Sequence, residues 1–157
     1  MKEGSVIQVA YVVRDIEAAM KRHWEVCGIG PWSVYEFNPQ KVRDYTYRGK
    51  PATHSCLIAV TPLIEGAQTE LMQPLTGYSI YDEHLEKRGE GLHHVKLYHA
   101  DCAKAAERYA KAGYPVIQSG WFDDDVHYYF DTEKDFGYIV EIGNCGKIRD
   151  AERRYPA

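Results

Sequence analysis

The segment VIQVAYVVRD at residues 6–15 has a counterpart, LHHVKLYHAD, at residues 92–101. Each segment begins with a run of apolar and β-branched residues of strand length, and each ends at an aspartate that can cap a following helix. Aligning Gln8 with His94 also aligns Asp15 with Asp101. The chain therefore contains an internal repeat, whose unit begins with a strand and a helix.

The remainder of each repeat predicts three further strands after the helix. Apolar residues recur at helical spacing from Asp15 to Gly28 and from Asp101 to Gly113, and glycine is favoured just past a helix end. Strand-like runs then cover residues 32–37, 54–60 and 69–72 in the first half, and 116–119, 126–130 and 138–142 in the second. Both halves are therefore predicted to follow the order βαβββ.

We expect the two halves to form one domain, residues 1–145. The chain has 157 residues, of which 45% are hydrophobic, and this size and composition are typical of a single globular domain. Module one is assigned to residues 5–75 and module two to residues 92–145. A linker at residues 76–91 contains a short predicted helix capped by Ser79. Residues 146–157 are charged and are expected to form a peripheral C-terminal tail.

Charge and hydropathy exclude several kinds of partner. The chain has 19 Lys and Arg against 23 Asp and Glu, so it lacks the basic surface that binds nucleic acid. It has no apolar stretch long enough to span a bilayer and no cleavage-site pattern, so we expect a cytoplasmic protein without membrane contact. The four cysteines lack CxxC spacing, which predicts free thiols. The acidic run at residues 123–125 lacks the pattern of a calcium loop and is interpreted as a solvated turn.

Strand alternation predicts which polar side chains share one space. Gln8 and His94 occupy equivalent positions in the first strand of each half, and Glu70 and Glu141 lie among apolar residues in the last strands. Taken singly, each residue has an ordinary explanation, such as a glutamate on a solvent-facing edge. If the halves pack with pseudo-symmetry, however, the four side chains meet in one cleft. Their oxygen and nitrogen donors suit Zn, Mn, Co, Ni or Fe(II), so the set favours a metal site.

The same residues carry a resemblance to a known superfamily. IQVAYVV at residues 7–13 with Asp15, TELMQPL at 69–75, GLHHV at 91–95 and GYIVEI at 137–142 are similar to motifs of the vicinal oxygen chelate superfamily. That superfamily includes glyoxalase I, methylmalonyl-CoA epimerase, extradiol dioxygenases and bleomycin-resistance proteins. The resemblance covers residues 6–144, and the GLHH and ELxxPL segments look most like methylmalonyl-CoA epimerases and their relatives.

The resemblance implies an α+β fold in which two βαβββ modules, arranged with pseudo-symmetry, form a cup-shaped, partly open barrel. The cup would hold one divalent metal ion through Gln8, Glu70, His94 and Glu141. Epimerases of the family usually have His and Gln at the first two positions, whereas Gln, Glu, His and Glu form the pattern of zinc-type glyoxalase I. The extradiol dioxygenases, which use two histidines and one glutamate, fit this set less well. A homodimer is also implied.

The implied chemistry is the movement of a proton next to a carbonyl group of a small oxygenated substrate. A metal that chelates two neighbouring oxygens makes the adjacent C–H acidic and neutralises the resulting enediolate. By resemblance, Glu141 is both ligand and base or acid. His54 stands where the epimerases have a second carboxylate, and its ordinary pKa of about 6.5 suits proton transfer, although a structural or substrate-contacting role is equally open.

The reaction and the substrate stay open at this point. An isomerase, an epimerase and a lyase are all compatible with the motifs, acting on a CoA thioester, a glutathione hemithioacetal, or a keto-sugar or hydroxy-ketone. No basic cluster suited to CoA phosphates stands out, which favours a smaller polar ligand. The alternative is a non-catalytic protein that sequesters a small molecule in the same cup. Such proteins generally lack a full ligand set, which counts against this alternative.

Further residues are expected in the wall of the cup. Lys96 shares the predicted face of His94 and is a candidate to hold a substrate carboxylate, or it reaches solvent from the strand end. Rings from strand-like runs are candidates for an aromatic wall, although most aromatic residues in strands belong to a core. These candidates are Trp32, Tyr45, Tyr47, Trp121, His127 and Tyr129.

Overall fold

The computed structural model describes residues 1–64 and 67–157, and its dominant feature is one mixed sheet that collects all eleven named strands of these ranges. In chain order the elements are β1 (Val6–Val12), α1 (Ile16–Cys27), β2 (Trp32–Phe37), β3 (Val42–Tyr47), β4 (Lys50–Pro51), β5 (Ser55–Val60), β6 (Gln68–Thr76), α2 (Ile80–Arg88), β7 (Gly91–Tyr98), α3 (Cys102–Lys111), β8 (Val116–Phe122), β9 (Asp125–Phe130), α4 (Glu133–Phe136), β10 (Ile139–Gly143) and β11 (Arg153–Tyr155).

The strand order displays the repeat. The sheet runs β11-β2-β5-β6-β1-β7-β10-β9-β8-β3-β4. β1 pairs in parallel with β6, β7 pairs in parallel with β10, and β1 and β7 join the halves as an antiparallel pair. The first and last strands of both halves therefore form the centre of the sheet. The predicted α+β fold with a cup-shaped, pseudo-symmetric sheet is confirmed.

The predicted helix starts are also confirmed. The Asp15 side chain accepts a hydrogen bond from Ala18 N at 3.0 Å, and Asp101 does the same for Lys104 N at 3.0 Å. α1 ends at Gly28, which has a φ of +68° that favours glycine. α3 ends at Lys111, slightly before Gly113, where the sequence predicts its end. These caps fix where each chain segment leaves the sheet and returns to it.

Helices cover the outside of the cup and fill one end of its inside. α1 buries Ile16 and Met20 against Trp32 of β2, in a cluster on the outer face. On the inner face, Ile80 and Tyr81 of α2 belong to a separate cluster with residues of both halves. The linker helix thus occupies one end of the cup and leaves the other end for a cavity.

Two parts of the sheet were not predicted. β3 comes from the first half of the chain but pairs with β8 of the second half, and a register irregularity lies between Arg43 and Thr46. The C-terminal segment, expected at the periphery, contributes β11, which pairs with β2. Its Ile148 packs against the aromatic cluster that includes Phe122. These two segments link the arms of the cup beyond the duplicated core.

The helices and the cysteines bear on two further predictions, that no segment spans a membrane and that the thiols are free. Within the described ranges, no helix combines the length and apolarity needed to cross a membrane. Cys27, Cys56, Cys102 and Cys145 are all free, as predicted.

Candidate metal centre

Each of the four central strands contributes one of the four predicted ligands to the inside of the cup. Gln8 comes from β1, Glu70 from β6, His94 from β7 and Glu141 from β10. All four are buried, with between 0% and 6% of their surface exposed. The structure therefore brings together the four residues predicted as ligands, because the pseudo-symmetric packing places the first and last strands of both halves side by side.

A local irregularity in β7 adds a second histidine to the inner face. Ala10 lies opposite His94 and Tyr11 lies opposite Leu92, so the strand carries one extra residue at His93. Such a bulge breaks the alternation of side chains. As a result His93 and His94 are both buried, with ring centroids 5.1 Å apart.

The four donors lie within a few ångströms of each other. His94 Nε2 is 2.7 Å from Glu141 Oε2 and 3.2 Å from Glu70 Oε2. Gln8 donates from Nε2 to Gln68 Oε1 at 2.8 Å and to Glu70 Oε1 at 3.3 Å, which leaves its Oε1 free. Donor atoms of Glu70, His94 and Glu141 all lie within 4.8 Å of one another, close enough to bind a single ion.

One donor atom of each residue has no hydrogen-bond partner. Gln8 Oε1, Glu70 Oε2, His94 Nε2 and Glu141 Oε2 are all buried and make no hydrogen bond, although His94 Nε2 lies close to both carboxylate oxygens. Leaving a buried polar atom unpaired costs about 1–3 kcal/mol. The clustered donors of Glu70, His94 and Glu141, with the amide oxygen of Gln8 free beside Glu70, fit a divalent cation with an oxygen-rich donor set.

The charges of the cluster agree with this interpretation. Burial raises the pKa of Glu70. Burial alone also favours protonation of Glu141, but Lys96 and His94 together lower the pKa of that carboxyl below its usual range. Burial lowers the pKa of His94, yet the attraction of Glu141 and Glu70 outweighs it and raises the value to about 9. In the metal-free chain a proton on His94 thus supplies part of the positive charge that a cation would bring.

His93 holds the ring of His94 in one orientation. The two Nδ1 atoms are 2.8 Å apart, so one ring donates to the other. Burial lowers the pKa of His93 well below its ordinary value, which keeps it neutral. If His94 binds an ion through Nε2, its Nδ1 carries the hydrogen and His93 Nδ1 accepts it. A partner of this kind fixes the tautomer and the direction of a histidine ligand.

Replacing His93 with phenylalanine should therefore weaken metal binding. The ring volume is kept but the acceptor is lost, and we expect the affinity for Zn²⁺ to fall roughly 10- to 100-fold. Competition with a chromophoric chelator measures the affinity. The control is His23→Phe, which removes a histidine on α1 whose Nδ1 contacts Ala19 O outside the site. Unchanged affinity in His93→Phe would show that His94 needs no such partner.

Gln8, Glu70 and Glu141 line a cavity of about 80 Å³. Its polar side is formed by Gln8, Gln68, Glu70, Lys96, Asp125, His127 and Glu141, and its apolar side mainly by Tyr35, Phe37, Phe122, Tyr129 and Ile148. Lys96 Nζ is 3.1 Å from Asp125 Oδ2 and 3.2 Å from Glu141 Oε1. Burial lowers the pKa of His127 to about 3, so this ring is neutral. The interpretation of residues 123–125 as a solvated turn therefore holds only for Asp124, since Asp125 faces the cavity.

The predicted wall residues divide between the two faces of the sheet. Lys96, His127 and Tyr129 line the cavity. Trp32 packs in the cluster beneath α1, and Trp121 packs in the cluster beneath α3. Side chains alternate along a strand, so the residues next to these two tryptophans face inward instead.

Three further inward-facing rings were not among the predicted wall residues. Tyr35 and Phe37 of β2 and Phe122 of β8 line the cavity, and the rings of Phe37 and Phe122 stack with centroids 4.2 Å apart. The alternation of side chains along WSVYEF, residues 32–37, and between Trp121 and Phe122 could have identified these inward-facing rings. Ile148 had no such signal, because its position depends on the path of the C-terminal segment.

His54 is buried but does not line this cavity. Its ring lies against Tyr45, with centroids 4.4 Å apart, and 6.3 Å from the rings of Tyr47 and Tyr81. Both ring nitrogens lack hydrogen-bond partners, and burial lowers the pKa of His54 to about 4. The structure thus holds it as a neutral imidazole in an aromatic surrounding, apart from the four-donor cluster.

Comparison with known proteins gives one family and one group of folds. The sequence model of the family described as the glyoxalase/bleomycin resistance protein/dioxygenase superfamily matches residues 7–130. The fold is similar to methylmalonyl-CoA epimerase from Mycobacterium tuberculosis, with 17% identity, a TM-score of 0.66 and coverage of 94% of this chain and 93% of that one. No curated protein matches the sequence.

Two further solved structures have the same fold. A variant of Streptomyces coelicolor methylmalonyl-CoA epimerase, in complex with 2-nitronate-propionyl-CoA, has 13% identity and a TM-score of 0.67, with 95% of this chain and 99% of that chain covered. A hypothetical protein from Bacillus halodurans has 17% identity and a TM-score of 0.64, with 97% and 100% covered. At these identities the similarity concerns the fold.

Proposed function

The chain belongs to the glyoxalase/bleomycin resistance protein/dioxygenase superfamily, and we propose that it is a metal-dependent isomerase, epimerase or lyase acting on a small oxygenated substrate. The reaction would move a proton next to a carbonyl group. The observation that carries this proposal is the set of four buried, unpartnered donor atoms on Gln8, Glu70, His94 and Glu141. A structural core has no need of such a set, whereas a site for a divalent ion does.

Gln8, Glu70, His94 and Glu141 would hold one divalent ion, and Zn, Co, Ni, Mn and Fe(II) all accept such mixed donors. When bound, the ion supplies a Lewis acid that polarises the substrate carbonyl and balances the negative charge that develops on its oxygen. The amide nitrogen of Gln8 donates to Gln68 and Glu70, so its Oε1 would be the atom that binds the ion.

In this proposal Glu141 moves the proton. Its carboxylate lies at the cavity wall, where the charge of Lys96 favours its ionised form. The substrate C–H bond breaks, the proton passes to a carboxylate oxygen of Glu141, and the electron pair moves toward the carbonyl oxygen. Return of the proton to a carbon completes an isomerisation or epimerisation.

The apolar side of the cavity would protect this step. The stacked rings of Phe37 and Phe122 line the same cavity as the polar donors, and so does Ile148. Side chains of this kind exclude water and strengthen electrostatic interactions inside the site. The role of His54 as a second acid–base group stays a prediction. Its ring lies among Tyr45, Tyr47 and Tyr81 and does not line this cavity.

The decisive experiment combines metal analysis with hydrogen exchange. We expect about one divalent transition ion per chain after purification without chelators, and none in Glu70→Ala. Candidate substrates are then incubated with the protein in D₂O, and exchange of the C–H next to the carbonyl is followed by NMR. Methylmalonyl-CoA, the glutathione hemithioacetal of methylglyoxal and hydroxyacetone represent the three substrate classes. Glu86→Ala, which removes an exposed glutamate of α2, serves as the control.

Two results would contradict the proposal. Absence of bound metal, even after reconstitution at neutral pH, would remove the basis of the chemistry. A ligand that binds without any hydrogen exchange would instead favour the non-catalytic, sequestering alternative.

A cytoplasmic homodimer completes the proposal, in line with the family resemblance. Light scattering on the purified protein measures the number of chains per particle. A monomer at all accessible concentrations would exclude the dimer without affecting the proposed reaction.

A further inference from the structure

We propose that the substrate of this site is an electrically neutral, compact hydroxy-carbonyl compound, and that Asp125 excludes substrates with a carboxylate or phosphate group. This inference rests on the proposed function and narrows its substrate class. It comes from four features of the cavity: the ion pairs of its lysine, its balance of charges, an unused acceptor atom, and its shape.

Lys96 is already neutralised. In the described part of the chain it is the only lysine or arginine in the cavity wall, and its ammonium contacts both Asp125 and Glu141 at hydrogen-bonding distances. The lysine stem runs over Gly143, where a Cβ atom would collide with it. A carboxylate substrate would therefore have to displace Asp125 or lie beside it.

The site is also balanced in charge without an anionic substrate. Three carboxylates line the cavity, those of Glu70, Asp125 and Glu141. Lys96 and one divalent ion supply an equal positive charge. An added anion would leave the site with an uncompensated negative charge, and like charges brought together in a protein site are strongly unfavourable.

Asp125 in addition offers an acceptor for a neutral group. Its Oδ2 contacts Lys96, whereas its Oδ1 is buried and has no partner. An ionised carboxylate can only accept hydrogen bonds, so the group that completes it must donate. A hydroxyl group of the substrate is such a donor, while a carboxylate or a phosphate dianion is not.

The shape of the cavity favours a small molecule with one apolar face. The part of the cavity next to the donors has a volume of about 80 Å³, which has room for roughly five to eight non-hydrogen atoms, since one water needs about 10–15 Å³. An adjoining cavity of about 160 Å³ shares Gln68, Lys96, Asp125 and Ile148 with it. Ile148 lies in the wall, and the segment that carries it is held by the ion pair of Arg149 with Asp123. The stacked rings of Phe37 and Phe122 give the wall an apolar surface against which a non-polar part of the ligand can pack.

Lactamide and lactate test the inference, because they have the same shape and the same neighbouring oxygens but differ in charge. Calorimetry on the metal-loaded protein should give at least about tenfold tighter binding of lactamide. In Asp125→Asn the lysine loses one neutralising partner, and the preference should shift toward lactate by at least about tenfold. Asp124→Asn, a change of the exposed neighbour in the same turn, should behave as the unchanged protein. Asp125→Ser provides a second variant if Asp125→Asn folds poorly.

The outcomes separate this inference from the proposed function. Tighter binding of lactate by the unchanged protein, an unaltered preference in both Asp125 variants, or no binding of either probe by metal-loaded protein would overturn it, even if hydrogen exchange is observed. Conversely, protein that holds no metal contradicts the proposed function, while the preference for lactamide remains measurable and is still expected from the three carboxylates.

Discussion

Replacing Glu141 with glutamine should lower turnover roughly 10³-fold while leaving a folded protein that still takes up a divalent ion. An amide has nearly the shape of a carboxylate and keeps an oxygen that can act as a ligand, the role proposed for Gln8 in the same cluster. It cannot accept a proton from carbon at neutral pH. The variant therefore separates the two roles assigned to Glu141, that of ligand and that of base.

The separation requires a second variant and a metal-saturated assay. Glu141→Ala loses both roles, so it should show little bound metal and no turnover. Metal content, circular dichroism and the rate of C–H exchange in D₂O are measured on the same preparations, with Glu86→Gln as the control outside the site. An exchange rate in metal-saturated Glu141→Gln within about threefold of the unchanged protein would mean that another group moves the proton.

The centre of the fold and the four donors were predictable because both depend on short-range patterns. An aspartate cap after a strand-like run marks each repeat, and the caps of α1 and α3 are formed by those aspartates. A single glutamate within an apolar strand, as in Glu70 and Glu141, indicates a buried carboxylate that needs a partner. The repeat then supplies the geometry, since two equivalent units with pseudo-symmetry bring equivalent strands together.

The closing strands were not predictable from such patterns. β3 begins with Val42-Arg43-Asp44, a charged stretch whose backbone is irregular, since Asp44 has a φ of +51°. Its partner β8 lies in the other half of the chain. Nothing local indicates a pairing over that sequence distance. For the same reason the C-terminal segment was expected at the periphery, although it supplies β11 and Ile148.

Two features of the site depend on where the alternation of side chains holds. It holds in β2 and at the end of β8, where attention to it selects Phe37 and Phe122 rather than Trp32 and Trp121. It fails in β7, where the bulge turns His93 inward next to His94. A bulge can be recognised only when the partner strand is known, so the hydrogen bond between the two histidines could be found only in the folded structure.

Removing the divalent ion should abolish turnover and lower the melting temperature by roughly 10 °C. A ligand present at 1,000 times its dissociation constant stabilises the folded state by about 4 kcal/mol. For a chain of this size, each kcal/mol corresponds to about 2–4 °C. The ion would act by pairing with the donor atoms of Gln8, Glu70, His94 and Glu141 that have no hydrogen-bond partner. The metal-free chain should nevertheless stay folded, because a proton on His94 offsets part of the charge of the two carboxylates.

Thermal unfolding with and without a chelator, followed by return of Zn²⁺, measures this effect. Glu70→Ala and His94→Ala should unfold at the same temperature with or without the ion, because each lacks one of the donors on which binding depends. Glu86→Ala should respond as the unchanged protein does. A full metal-dependent shift in Glu70→Ala would locate the ion elsewhere on the chain. A shift lost in both ligand variants but kept in the control instead ties the stabilising ion to the same four atoms that the proposed reaction requires.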